Sequence, residues 1–96
     1  MGQEAIIWTQ KEKRKLSDTY FKILQITEKY YELQSKNTGH HWIVKKICTG
    51  KYPVVLYHKH SRKNTYYHKQ CGVYTVTQAI NEIKKHDQYI QCHLNK

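Results

Sequence analysis

His58, His60 and His68 lie close together in the chain, with Lys59 and Arg62 between them. Imidazoles exchange protons near neutral pH. Such a set therefore contains the acid, the base and the cation that metal-independent cleavage of a phosphodiester requires. Residue types are not geometry, however, and no reaction is assigned. Arg62 and His68 also show an R-x-x-x-x-x-H spacing used by some all-helical ribonucleases, but here that spacing falls across an expected hairpin.

The same histidines invite a metal reading, because His58-x-His60 and His68-x-x-Cys71 are neighbours in sequence and Cys48, His40 and His41 are not far. Tetrahedral zinc needs nitrogen or sulfur ligands converging on one point. If Ser61 to Asn64 is a simple four-residue turn, His58 pairs with Tyr67 and His60 with Thr65. His68 then faces away from the other two, and the convergence is lost. A loop one residue longer restores it. No zinc-finger spacing is present, and the sequence assigns neither a metal nor a small-molecule cofactor. A Gly-rich phosphate loop, H-E-x-x-H, a nucleophile elbow and paired carboxylates are all absent. Seven acidic residues in 96 make a carboxylate-held magnesium site a poor fit. Kinase, GTPase and glycosidase chemistries are set aside.

Charge is the strongest signal. The formal net charge is +10 with His neutral, and from Leu33 to Asn81 there is no Asp or Glu. That stretch carries Lys36, Lys45, Lys46, Lys51, Lys59, Arg62, Lys63, Lys69 and five of the seven histidines. A surface built from it attracts polyanions and binds them by releasing their counterions. Nine tyrosines add rings that can pack in a core or lie flat on the outside. The three cysteines, Cys48, Cys71 and Cys92, are odd in number and widely spaced. They suit a reducing compartment better than a disulfide framework. The apolar run Ala5–Trp8 precedes its lysines and is too short for a secretory signal or a membrane span. A soluble cytoplasmic protein with no membrane partner is expected.

The elements that must position these groups fit one small domain. Thr75 and Gln78 form a capping-box pattern. Val76, Ala79, Ile80, Ile83, Ile90 and Leu94 then recur at helical spacing, with loosening expected around His86 and Asp87. Tyr52–His60 and Thr65–Cys71 read as one hairpin. Tyr30–Ser35 and His41–Ile47 read as another, about Lys36-Asn37-Thr38-Gly39. Thr19–Thr27 fits a strand or a helix, and its β-branched and aromatic residues favour the strand. The helical alternative would give the α-β-β-β-α order of double-stranded-RNA-binding domains. The expected fold is α+β: an antiparallel sheet of four or five strands, with two consecutive hairpins, packed on one C-terminal helix. Residues 1–18 read as a basic arm, with a short edge strand through Ile6 and Ile7, and residues 19–96 as the domain.

A helix covers only one sheet face, so the other leaves Tyr and His rings beside lysines in water. Single-stranded nucleic acids use such surfaces, stacking bases on the rings while cations follow the phosphates. The expected partner is DNA or RNA. It is held by Lys45, Lys46, Lys59, Arg62, Lys63 and Lys69, with Trp42, Tyr66, Tyr67, His58, His60 and His68 among them. The alternative is a small regulator or inhibitor docking this basic face on an acidic protein, with Trp42, Tyr66, Tyr67 and Arg62 as anchors. A third reading is a small basic mRNA-cleaving toxin, an argument from length, charge and class alone.

Overall fold

Five strands form one sheet in chain order: β1 Phe21–Ile26, β2 Tyr30–Ser35, β3 His41–Lys46, β4 Val54–Lys59 and β5 His68–Val73. Each strand runs antiparallel to the next, and helices α1 Gln10–Leu16 and α2 Val76–Leu94 flank the meander in sequence. The computed structural model describes residues 8–47, 50–61 and 63–94. None of its helices is long and apolar enough to cross a membrane.

The expected α+β architecture is found, and residues 21–26 take the strand option. At the β2–β3 turn, Gly39 adopts φ +77°, a conformation that side chains disfavour. The Ser35 amide donates to the His40 carbonyl at 2.9 Å. At the start of α2, the Gln78 amide donates to Thr75 Oγ1 at 3.1 Å, while Gln78 Oε1 accepts from the Tyr74 amide at 2.8 Å. Thr75 thus caps the helix as the sequence pattern predicts, while Gln78 reaches one residue further back than a capping box requires, to the amide of Tyr74 instead of that of Thr75.

Two expectations are corrected. First, residues 10–16 are helical rather than an arm. Thr9 and Glu12 complete a capping box, with amide bonds of 3.1 and 2.9 Å, and Leu16 and Trp8 enter the core. Ile6 and Ile7, the expected edge strand, lie outside the described residues. Second, α2 continues through His86 and Asp87 without loosening. Asp87 is buried, and its carboxylate accepts from the Tyr20 hydroxyl at 2.7 Å and from Thr38 Oγ1 at 3.0 Å. These bonds supply what a buried carboxylate must recover on leaving water, and they tie the helix to the sheet.

The helix-facing side of the sheet holds the core. Cross-strand rows run Ile23–Leu33–Trp42–His58–His68 and Ile26–Tyr31–Val44–Leu56–Cys71. Val76, Ala79, Ile80 and Ile83 of α2 close over them. Trp42 is 0 % exposed, and its indole N–H donates to the buried Ser35 hydroxyl at 3.1 Å.

Buried phenols give the fold an alkaline limit, Tyr31 through burial alone and two others through carboxylates as well. Burial, and then the bond to Asp87, push the Tyr20 hydroxyl up to about 12; burial and Glu32, at 2.7 Å, raise Tyr67 as well. An unfolded tyrosine ionises near pH ~10. Above that pH the unfolded chain sheds protons that the folded chain keeps. The stability these phenols contribute is therefore whole below about pH 10 and declines as pH rises through the folded values. Denaturant midpoints measured from about pH 9 to 11 should fall less steeply in Tyr20→Phe and Tyr67→Phe than in the parent. Parallel decline in all three contradicts the assignment.

Candidate functional site

The β4–β5 hairpin decides which side chains meet. Its connection spans residues 60–67, and a bulge shifts the register between Leu56 and Tyr57, so that Leu56 pairs with Cys71 but Tyr57 with Lys69 and His58 with His68. The simple turn expected from Ser61 to Asn64 is thus corrected: Gln70 is the extra residue. Because a one-residue slip changes the face of every side chain beyond it, His68 joins His58 on the helix side and Lys69 joins Tyr57 and Lys59 on the other.

The helix-free face is then built in three rows: Lys22–Gln34–His41–Lys59, Gln25–Glu32–Ile43–Tyr57–Lys69 and Tyr30–Lys45–Val55–Gly72. Neighbouring strands lie about 4.8 Å apart, so four lysines share one sheet surface with the Tyr30 and Tyr57 rings. Tyr67 joins them from just before β5. Its ring lies 4.8 Å from Lys59 Nζ, and its hydroxyl donates to Glu32, the only carboxylate on these strand rows. Gly72 leaves room for Tyr52: a Cβ on Gly72 would come within 2.6 Å of that ring. Tyr52 in turn lies 5.3 Å from Tyr74, between ring centroids.

The residues singled out from sequence divide. Lys45, Lys59, Lys69 and Tyr67 meet on this open face. Lys63 and Tyr66 are exposed in the β4–β5 connection, Tyr66 at 83 %. His60 and His68 line a shallow cleft there of about 150 Å³ with Lys59, Asn64 and Tyr66. Lys46 points the other way, bonded to Glu12 at 2.9 Å and 5.3 Å from the Trp8 ring centroid. Trp42 and His58 are corrections. Both are buried, His58 at 1 % exposure, so neither offers a ring to a base and His58 cannot reach a phosphodiester as an acid or base. Arg62 lies outside the described residues. Lys22, Tyr30 and Tyr57, not singled out from sequence, stand on the same face; alternation along β2 and β4 marks the side of the two tyrosines, whereas a bulge between Ile23 and Gln25 breaks the alternation of β1 just after Lys22.

A second assembly lies at one end of the helix-facing side. His40 Nδ1 is 3.0 Å from His58 Nε2, and the His86 ring is 4.5 Å from that of His58. His60 stacks on His40 at 5.0 Å, and His68 meets His58 edge-on at 5.4 Å. Trp42 floors the group, its ring 4.1 Å from His58. Burial, and then the neighbouring imidazoles His86 and His40, push His58 down to about 3. Burial lowers His40 and His86 too, against the pull of Asp87. The convergence that a simple hairpin register denies is therefore present, with His40 and His86 as members. His86 arrives from α2, more than a dozen residues beyond the hairpin, and no local spacing signals it.

No protein-family model, curated protein or solved structure matches this chain, so function has to be argued from these side chains.

Proposed function

We propose that the chain is a small nucleic-acid-binding protein that holds a single strand across the helix-free face of its sheet. The observation that carries this reading is the gathering of Lys22, Lys45, Lys59 and Lys69 on one surface with exposed or half-buried tyrosine rings, against a single carboxylate already engaged by Tyr67. Lysines at this spacing follow phosphates without reading sequence, while Tyr30 and Tyr57 present ring surface on which bases stack. The cytoplasm is the compartment proposed with it, in keeping with the free thiols of Cys71 and Cys92.

Fluorescence anisotropy with labelled 12-mers of deoxythymidine and uridine tests the reading. Saturable binding with Kd of roughly 1–100 µM at physiological salt is expected, the range of sequence-independent phosphate contact, and tighter binding at low salt. Absence of saturable binding contradicts it. Polyglutamate that displaces the labelled strand as well as unlabelled oligonucleotide does would assign the face to an acidic protein partner instead.

A further inference from the structure

We propose that His40, His58 and His86 form a binding site for one transition-metal ion of the zinc class, joining the β2–β3 turn, β4 and α2 at a point away from the open sheet face. One nitrogen from each ring lies within 4.8 Å of the others, and the His40–His58 pair is already at 3.0 Å. Tetrahedral zinc with bonds of 2.0–2.1 Å holds its nitrogens about 3.3 Å apart, so small ring rotations close the set.

Several further features suit an ion. The Trp42 ring against His58 fixes the orientation of the most buried imidazole. His86 Nδ1 is buried and finds no hydrogen-bond partner among the described residues, an unusual state for a polar atom shielded from water. His60 and His68, with rings 5.1 and 5.4 Å from His58, are nitrogen donors at hand for the fourth position. Both oxygens of the nearby Asp87 are engaged by Tyr20 and Thr38. The donors at the site are therefore imidazoles, which suit zinc, copper or nickel and not calcium or magnesium. Without a metal, five rings that repel one another when charged are crowded into one end of an already basic protein. A cation that uses their neutral lone pairs accounts for the crowding.

The test uses the full chain stripped with EDTA and titrated with zinc chloride and, separately, with cobalt chloride. One zinc per chain is expected, with a cobalt spectrum typical of nitrogen ligation. At zinc about a hundred-fold above Kd, the melting temperature should rise by at least about 10 °C. His40→Ala and His86→Ala should each weaken zinc at least about a hundred-fold, because losing a ligand costs more than the ~10–100-fold lost with a ligand's outer hydrogen-bond partner. His93→Ala, at the far end of α2, should leave it unchanged. If His86→Ala does not fold, His86→Gln replaces it, and the cobalt spectrum of the parent stands independently. No zinc uptake at about a hundred micromolar, or uptake unaltered by both substitutions, overturns the proposal.

Discussion

Trp42→Ala should lower the melting temperature by at least about 12 °C. The side chain is wholly buried, and truncating a Trp or Phe in such a site costs ~3–5 kcal/mol, each kcal/mol moving the midpoint of a chain this size by ~4–8 °C. Two further losses point the same way. The Ser35 hydroxyl, also buried, loses the indole N–H at 3.1 Å, and His58 loses the ring against which it lies. Trp42→Phe retains most of the packing and gives up the N–H, so its midpoint should fall between those of the parent and the alanine variant. A drop of less than about 5 °C in Trp42→Ala, by calorimetry or circular dichroism, contradicts the central place given to this ring.

Replacing Lys22, Lys45, Lys59 and Lys69 together with Gln should reduce oligonucleotide affinity at low salt by at least about a hundred-fold. Each phosphate neutralised on a single strand contributes ~0.7 to the log–log salt slope, which makes each contact worth several-fold at about 50 mM salt. The comparison that gives this meaning is a variant with Lys11, Lys15, Lys84 and Lys85 changed to Gln. It loses the same formal charge from the two helices. If binding follows the surface and not the net charge, the second variant should stay within about threefold of the parent when the two are compared at about 0.1–0.15 M salt, where exposed charges beyond a Debye length of ~8–10 Å are largely screened. Equal losses in both sets contradict a localised site. The four sheet lysines are exposed or half-buried, and Lys59, whose contacts include a 3.2 Å bond to the Asn64 carbonyl and the ring of Tyr67, lies at the surface end of its strand, so folding should survive.

Local chemistry made much of this fold readable. Thr75 and Gln78 announce α2, Asn37 and Gly39 announce the β2–β3 turn, and the β-branched and aromatic content of residues 21–26 tips the balance to strand. Helix α1 carries the same kind of signal in Thr9 and Glu12, but its Lys-rich turns have only Leu16 to bury, so hydrophobic periodicity passes over it. The bulge at Gln70 is different. Nothing local requires it, and it alone decides that Lys69 sits beside Lys59 and His68 beside His58. His86 and Asp87 illustrate the other limit. Their neighbours, His40 and His58 for one and Tyr20 and Thr38 for the other, exist only once α2 has docked. Trp42 reads as an anchor from sequence because Trp, with Tyr and Arg, is the residue type expected at an interface hot spot. Its position one residue into β3 turns it inward, under α2.

The central claim is that the helix-free sheet face binds a strand through its phosphates, and the salt dependence of oligonucleotide affinity tests it most directly. With four lysine–phosphate contacts, log Kobs against log salt should fall with a slope of about −3, a loss of several hundred-fold for a tenfold rise in salt. A slope near zero, with binding intact, would contradict the account.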